Sequence, residues 1–288
     1  TVALLDLAAQ LKSGDRRIDL GNRVLGLIFT KASTRTRVSF QVAMARLGGQ
    51  TVDLNPSVTQ LGRGEPLEDT ARVLSRYCDV LAIRTFAQQE LVDYAYWASM
   101  PVINALTDLE HPCQALADFL TMREAHGELA GQTLAYIGDG NNVAHSLMLC
   151  GALLGVNVRI GCPEGFEPLP GVLDQARDLA QHGASIDVIT DPAQAVAGAQ
   201  AVYTDVWASM GQETEQAERE QAFSGFCVDE ALMDQAASDA IVLHCLPAHR
   251  GEEISAEVME SAASRIFDQA ENRLHAQQAL LASLMGGL

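Results

Sequence analysis

Short apolar runs alternate with longer amphipathic segments along the whole chain, a pattern that predicts strands followed by helices. Strands that alternate with helices favour parallel sheets with helices on both faces, so the predicted fold class is α/β. The runs that predict strands are Val24–Phe29, Thr51–Leu54, Asp79–Ile83, Val102–Asn104, Thr133–Ile137, Val156–Ile160, Ser185–Ile189, Ala201–Thr204 and Ala240–His244.

One predicted helix, between Thr34 and Leu47, carries apolar residues on two stripes. A helix with a single apolar stripe packs on one side only, whereas two stripes indicate cover on more than one side. We therefore expect both stripes of this helix to be buried. The first stripe is Phe40, Met44 and Leu47, and the second is Val38, Val42 and Ala45.

The length of the chain favours two lobes. A chain of 288 residues is long for one hydrophobic core, and two cores of about 130–150 residues are the natural expectation. The polar stretch Arg123–Glu128 is the predicted boundary, which gives lobes at residues 1–124 and 125–270. Glu271–Met285 predicts a long final helix, and we expect residues 271–288 to pack back on the first lobe.

The charge balance limits the possible partners. A net charge of −18 disfavours non-specific binding to nucleic acid and to anionic membranes. An anionic substrate must therefore be held by a local arginine cluster. No apolar run approaches the roughly 20 residues that span a bilayer. The cysteines lack CxxC spacing, which favours reduced thiols over a disulfide framework or a zinc site. We expect a cytoplasmic enzyme without a metal.

A candidate phosphate site follows the first predicted strand. Ser33 stands before a helix pattern as a candidate N-cap, where backbone N–H groups would point at an anion. Arg35 and Arg37 match phosphate oxygens in bidentate geometry. An ordinary capped helix with two solvated arginines explains the pattern equally well. Arg84 and Arg273 add charge, although each by itself is more typical of a surface salt bridge.

A second glycine-rich turn, Gly138–Val143, follows a predicted strand and opens a helix. It differs from a dinucleotide-binding fingerprint because Val143 holds the third glycine position and no acidic residue ends the next strand. Asp139 would also repel a pyrophosphate. The pattern predicts instead a turn that directs Asn141 and Asn142 into a cleft.

Three further residues are candidates for the chemistry. His111 precedes a helix that starts with Pro112, and a histidine there can donate to a carbonyl oxygen. Asp205 follows a strand, where it could bind an ammonium group or cap a helix. Cys245 also ends a strand; most such cysteines are inert core residues, and no Cys/His/Asn spacing suggests a thioester.

Taken together, these motifs resemble the ornithine carbamoyltransferases. The resemblance covers nearly the whole chain in order, although the sequence starts close to the first helix and lacks part of the family's usual N-terminal segment. The Ser-Thr-Arg-Thr and His-Pro-x-Gln elements are shared with aspartate carbamoyltransferase, whereas the Ser-Met-Gly and His-Cys-Leu-Pro elements distinguish the ornithine branch. The segments that carry the resemblance are Phe29–Arg37, His111–Gln114, Asp205–Gly211, His244–Pro247 and Glu271–Arg273.

This resemblance implies transfer of a carbamoyl group from carbamoyl phosphate to the δ-amine of L-ornithine, in arginine metabolism, by a homotrimer or a multiple of trimers without a cofactor. It assigns residues 1–124 to carbamoyl phosphate and residues 125–270 to ornithine, with Cys245, Arg84 and His111 as catalytic residues. The implied carbamoyl phosphate contacts are Ser33, Thr34, Arg35, Thr36, Gln60, Arg84, His111, Gln114, Cys245, Leu246 and Arg273. The implied ornithine contacts are Asn142, Asp205, Ser209 and Met210.

Other functions stay open from the sequence alone. A carbamoyltransferase for aspartate would need extra cations near Asp205, and a carboxylate there favours an ammonium-bearing acceptor instead. Putrescine and N-acylated ornithine are alternative acceptors. A nicotinamide dehydrogenase is disfavoured by Val143, and a catalytically silent binding protein is disfavoured by the full set of polar residues. Anabolic and catabolic roles are not distinguished.

Overall fold

A computed structural model describes residues 1–55, 64–208 and 216–286. Every strand that the apolar runs predict is present, and the ends agree to within one or two residues. The strands are β1 Val24–Phe29, β2 Gln50–Leu54, β3 Val80–Arg84, β4 Val102–Leu106, β5 Thr133–Ile137, β6 Asn157–Gly161, β7 Ile186–Ile189, β8 Ala201–Thr204 and β9 Ile241–His244.

Helices separate most of the strands, as the alternating pattern predicts. The fifth helix continues to His126, so the polar stretch Arg123–Glu128 begins inside a helix and not in a loop. The helices are α1 Val2–Ser13, α2 Arg35–Arg46, α3 Leu67–Leu74, α4 Gln88–Trp97, α5 Pro112–His126, α6 Asn142–Leu154, α7 Pro170–Leu179, α8 Pro192–Val196, α9 Gln216–Ala222, α10 Glu230–Met233, α11 Ala256–Met259 and α12 Ile266–Leu284. No helix in the described part of the chain is long and apolar enough to cross a membrane.

The chain divides into two units. The N-terminal unit combines Val2–Ala117 with Glu271–Leu288, and the C-terminal unit is Asp118–Ala270 together with Thr1. The final helix therefore returns to the first part of the chain, as predicted. Within the N-terminal unit, the Nζ of Lys12 on α1 donates to the Oδ1 of Asn272 on α12 at 2.8 Å.

Each unit is built on a parallel sheet. The strand order is β2-β1-β3-β4 in the N-terminal unit and β7-β6-β5-β8-β9 in the C-terminal unit. The order reverses between β1 and β3, and again between β5 and β8. In open α/β sheets, ligands bind beyond the carboxyl ends of the strands at such reversals. Those four ends lead to the Ser33–Arg37 segment, Arg84, the Gly138–Asn142 turn and Asp205.

The prediction for the two stripes of α2 is half wrong. Phe40 and Met44 are fully buried, as expected for the first stripe. Val38 and Val42 of the second stripe are 50% and 37% exposed in the single chain. One face of α2 therefore packs on its own unit, and the other presents apolar side chains to solvent.

Gly140 makes a testable contribution to stability. A Cβ at this position would lie 2.2 Å from the backbone N of Pro168 and 2.4 Å from the backbone C of Glu167. Backbone cannot yield as a flexible side chain can, so we expect Gly140→Ala to destabilise the fold by about 2–3 kcal/mol. Thermal unfolding measures this as a drop in Tm of roughly 5–10 °C.

Gly171 provides the matched control in the same unit. A Cβ there meets nothing within 4 Å, and the residue lies in the first turn of α7. We expect Gly171→Ala to leave Tm unchanged or to raise it slightly, because alanine has the better helix propensity. Equal Tm values for the two variants would contradict the close approach at Gly140.

Candidate active site

The candidate phosphate motif lies at the start of α2, which begins at Arg35. Thr34 holds the N-cap position, so the prediction that Ser33 is the N-cap is wrong. Thr34 has helical backbone angles (φ −83°, ψ −56°), whereas a capping side chain normally needs extended backbone. Among the described residues, Thr34 makes no side-chain cap hydrogen bond to the first turn. Among the described residues, the backbone N–H groups in the first turn of α2 therefore receive no hydrogen bond from a capping side chain.

The two arginines of the motif differ in their surroundings. Arg37 forms an ion pair with Asp53 and lies 4.9 Å over the ring of Phe29, which accounts for its charge structurally. Arg35 is exposed, and Ser33 is half-buried. The contacts of Arg37 make it a poor candidate for an external anion.

Buried polar side chains gather in the N-terminal unit around Arg273. Its Nη1 donates to the Oε1 of Gln114 at 2.5 Å, and its Nη2 donates to the Oγ1 of Thr36 at 3.0 Å. These bonds join α12, α5 and α2. Arg84 and His111 are also buried, and the charges of Arg84 and Arg273 both act on the His111 ring. The structure thus brings together five residues predicted to contact carbamoyl phosphate.

His111 is held as a neutral imidazole. Burial lowers its pKa well below the usual range, and the positive charges of Arg273 and Arg84 lower it further. A neutral ring can donate one N–H to a carbonyl oxygen without adding another charge to a cationic site. Cys113, two residues on, is inert: burial raises its pKa to about 11, and its thiol donates to the backbone oxygen of Asn104.

The C-terminal unit carries an anionic site around Asp205, which is 6% exposed. The Sγ of Cys245 and the backbone N–H of Val206 donate to its Oδ1 at 2.9 and 2.8 Å. The Nδ2 of Asn141 donates to its Oδ2 at 3.1 Å. A carboxylate whose oxygens are fixed from β5, β8 and β9 is a preorganised partner for a cation.

Cys245 is a thiol rather than a thiolate. Burial raises its pKa well above the usual range, and the negative charge of Asp205 and the S–H···O bond raise it further. A thiol is a weak nucleophile, so this environment agrees with the expectation that no thioester forms. The thiol instead acts as a hydrogen-bond donor to Asp205.

A buried network holds the turn that carries Cys245. The backbone N–H of Leu246 donates to the Nδ1 of His244 at 2.8 Å, so the Nε2 of His244 carries the proton that faces the Oε1 of Glu253 at 3.0 Å. The backbone N–H of His244 donates to the Oε1 of Gln269 at 2.8 Å. Leu246 has a φ of 60°, which is costly for a residue with a Cβ. The network stabilises this turn and thereby positions the Cys245 side chain.

Asp205, His244 and Cys245 also offer potential metal ligands, since one such atom from each lies within 4.8 Å of the other two. Metal ligation by cysteine requires the thiolate. In this structure the Sγ of Cys245 is a hydrogen-bond donor to the Oδ1 of Asp205 at 2.9 Å.

Both units match one protein family. The carbamoyl-P binding domain of the aspartate/ornithine carbamoyltransferases matches residues 1–124, and the Asp/Orn binding domain matches residues 130–284. The chain belongs to the aspartate/ornithine carbamoyltransferase family.

The similar proteins within this family are named ornithine carbamoyltransferases. The chain is 89% identical to an ornithine carbamoyltransferase of Parasynechococcus marenigrum (strain WH8102) over 100% of this chain and 91% of that protein. It is 81% identical to that of Prochlorococcus marinus (strain MIT 9313), with the same coverage. Among solved structures, the ornithine carbamoyltransferase from Gloeobacter violaceus has 57% identity and a TM-score of 0.90 over 99% of this chain and 93% of that one. The one from Pyrococcus furiosus has 49% identity and a TM-score of 0.94, with the same coverage.

Not every site residue predicted from the family resemblance can be placed. Gln60, Ser209 and Met210 lie outside the described residues. Asn142 is the first residue of α6 and is half-buried, whereas the neighbouring Asn141 contacts Asp205. The partner of Asp139 was not predicted from the sequence. The Nη1 of Arg219 lies 2.7 Å from the Oδ2 of Asp139 and compensates its charge.

Proposed function

We propose that the chain transfers the carbamoyl group of carbamoyl phosphate to the δ-amine of L-ornithine, giving L-citrulline and phosphate. The observation that carries this proposal is the opposite charge of the two sites. The N-terminal unit buries Arg84 and Arg273, which suits a dianionic acyl phosphate. The C-terminal unit buries Asp205, which suits an ammonium-bearing acceptor.

In the N-terminal unit, the arginines bind the phosphate and His111 activates the carbonyl group. The amine attacks the carbonyl carbon, so negative charge develops on the carbonyl oxygen before phosphate leaves. A neutral His111 can donate to this oxygen, and one well-placed donor of this kind is worth about 3 kcal/mol. The new C–N bond forms first; the carbonyl then re-forms as the C–O bond to phosphate breaks, and the departing phosphate takes up the proton that the amine loses.

In the C-terminal unit, Asp205 and Cys245 hold the acceptor. A primary amine is already a good nucleophile once it is neutral, so a covalent intermediate on Cys245 would gain little. Holding the amine and the carbonyl carbon in attack geometry can lower the barrier by roughly 7–11 kcal/mol. Catalysis would then rest on positioning and on the oxyanion donor.

The charge of the acceptor site supports ornithine over aspartate. Aspartate brings a second carboxylate, and a buried Asp205 would repel it without a compensating cation. The names of the relatives, ornithine carbamoyltransferases, support the same choice. We accordingly assign carbamoyl phosphate binding to residues 1–124 with the returning helix 271–288, and ornithine binding to residues 125–270.

The homotrimer is likewise a proposal for this chain. Val38 and Val42 on α2, and Val52 on β2, are exposed apolar side chains on neighbouring elements of the N-terminal unit. Such a patch is typical of a contact between subunits. We further propose a cytoplasmic location and a role in arginine biosynthesis, in line with the family resemblance. Light scattering of the purified chain should give three times the mass of one chain.

The test of the proposed function is a product assay with defined substrates. The purified chain is incubated with carbamoyl phosphate and L-ornithine, and citrulline and phosphate are measured in parallel. We expect equimolar products, and no citrulline when either substrate is omitted. Phosphate release without citrulline would assign a different reaction to the two sites.

Substitution of Cys245 tests its non-covalent role. We expect Cys245→Ser to retain measurable turnover, because the serine hydroxyl can still donate to Asp205. The KM for ornithine should rise about 10-fold, since the geometry and polarity of the donor change, while the KM for carbamoyl phosphate stays within about twofold. Intact-mass analysis after incubation with carbamoyl phosphate alone should show unmodified protein. A carbamoyl adduct on Cys245 would refute this role.

A further inference from the structure

The side-chain amide of Asn141 makes hydrogen bonds both to the start of a helix and to Asp205 of the proposed acceptor site. Its Oδ1 accepts hydrogen bonds from the backbone N–H groups of Val143 and Ala144 at 2.9 and 3.2 Å, which makes Asn141 the N-cap of α6. Its Nδ2 donates to the Oδ2 of Asp205 at 3.1 Å. The backbone of Asn141 is extended (φ −84°, ψ −169°), as an N-cap requires.

The amide of Asn141 has only one favourable orientation. The hydroxyl of the fully buried Tyr136 lies 3.4 Å from the Oδ1 of Asn141 and donates to the same oxygen as the two backbone amides. A flipped amide would direct its NH2 group at these donors and its oxygen at the carboxylate of Asp205. Both changes are repulsive, so the helix start fixes the direction in which the Nδ2 points.

The orientation of Asp205 depends on this donor. Cys245 and the backbone of Val206 hold only the Oδ1, and among the described contacts of Asp205 the bond from Asn141 is the one that holds the Oδ2. The two donors at the Oδ1 hold one end of the planar carboxylate, and the donor at the Oδ2 holds the other end. Bonds at both ends resist rotation about the Cβ–Cγ bond more strongly than bonds at one end, and they determine which lone pairs face the acceptor.

We propose that Asn141 is a positioning residue, which orients the Asp205 carboxylate for the ammonium-bearing acceptor and thereby sets the affinity for ornithine. This inference rests on the proposed function. Asn141 acts through Asp205, while the neighbouring Asn142 is the residue that the family resemblance assigns to the substrate.

The test separates this role from helix capping. Asn141→Asp keeps a side chain of the same shape and an equally good N-cap, but replaces the donor to Asp205 with a carboxylate oxygen. We expect the KM for ornithine to rise about 20-fold, because the new carboxylate repels that of Asp205 and turns it out of its orientation. The KM for carbamoyl phosphate should stay within about twofold. This repulsion should also lower Tm by several degrees, although the cap is preserved.

A second variant and a control complete the experiment. Asn141→Ser retains a good N-cap without the amide donor, and should raise the KM for ornithine about fivefold. Asp191 caps α8 in the same unit by accepting from the N–H groups of Ala193 and Gln194. Asp191→Asn therefore exchanges the same two residue types at another N-cap, and all kinetic constants should match the unsubstituted protein.

The outcomes distinguish the inference from the function on which it rests. An unsubstituted chain that makes no citrulline would overturn both. If that chain is active while Asn141→Asp and Asn141→Ser have normal KM values for ornithine, Asn141 is a helix cap only and the inference fails. Equal rises in both KM values, or loss of folded protein in both variants, would also assign Asn141 to the fold and not to the acceptor site.

Discussion

Replacement of Arg273 by lysine should lower kcat/KM for carbamoyl phosphate by about three orders of magnitude, because one ammonium cannot replace a bidentate guanidinium. Arg273 is 4% exposed and reaches the Oε1 of Gln114 and the Oγ1 of Thr36 with separate nitrogens. The three N–H groups of a lysine ammonium leave from a single nitrogen, so they cannot reproduce the two separate guanidinium nitrogens that reach these oxygens, nor present a planar pair of donors to a phosphate. Steady-state kinetics with saturating ornithine measure the loss.

The matched control is Arg72→Lys in the same unit. Arg72 has a side chain that is 55% exposed, forms an ion pair with Asp69 on its own helix at 3.4 Å and lies 4.4 Å over the ring of Trp97. Exposed contacts of this kind contribute little, so the kinetic constants should not change and Tm should fall by no more than about 3 °C. Tm of Arg273→Lys must also show a folded protein. A folded Arg273→Lys variant with near-normal kcat/KM would remove Arg273 from the phosphate site.

Replacement of Asp205 by asparagine should abolish most of the affinity for ornithine. The variant keeps the shape of the side chain but loses the buried negative charge that would pair with an ammonium group. Its new NH2 group would also face either the thiol of Cys245 and the N–H of Val206 or the Nδ2 of Asn141, all of which are donors. Loss of one partner of a buried charge pair costs about 3–5 kcal/mol, which corresponds to roughly 10²–10⁴-fold in kcat/KM for ornithine.

Two comparisons limit the interpretation of Asp205→Asn. The KM for carbamoyl phosphate should remain within about threefold, since Asp205 belongs to the C-terminal unit. Asp187→Asn changes an exposed carboxylate on β7 of the same unit, and should behave like the unsubstituted chain. A variant at Asp205 with unchanged ornithine kinetics would show that the acceptor is bound elsewhere.

The strands and the sheet edges were predictable because they depend on local patterns. A run such as Val24–Phe29 is buried on both sides in a parallel sheet, so the sequence reads as a continuous apolar segment. The chemistry-bearing segments follow directly from the strand ends, which the sequence also locates. This is why Arg84, which ends β3, and Asp205, which follows β8, could be assigned to sheet edges.

Details that depend on one residue of register or on distant partners were not predictable. The sequence favoured Ser33 as the N-cap, but the helix starts one residue later and the cap position falls on Thr34. The second stripe of α2 predicts burial, yet Val38 is exposed in the single chain. An apolar stripe predicts that a face is covered, but it does not tell whether the same chain or another chain covers it. A partner subunit would satisfy the same pattern.

The supporting residues of the acceptor site had little signal in the sequence. His244 stood beside Cys245 in the motif without an assigned role, and Glu253 becomes its partner only through the fold. Asn141 was expected to point into a cleft, but its contact with Asp205 joins residues 64 positions apart. Such contacts depend on the fold, because they join residues that are far apart in the sequence.

We propose a cationic site for carbamoyl phosphate and an anionic site for ornithine, and a comparison of acceptors tests these two assignments most directly. Carbamoyl transfer is measured with L-ornithine, putrescine, N-acetylornithine and L-aspartate at fixed carbamoyl phosphate. We expect the highest kcat/KM for ornithine and the lowest for aspartate, because Asp205 repels a second carboxylate. Faster carbamoylation of aspartate or putrescine than of ornithine would contradict it.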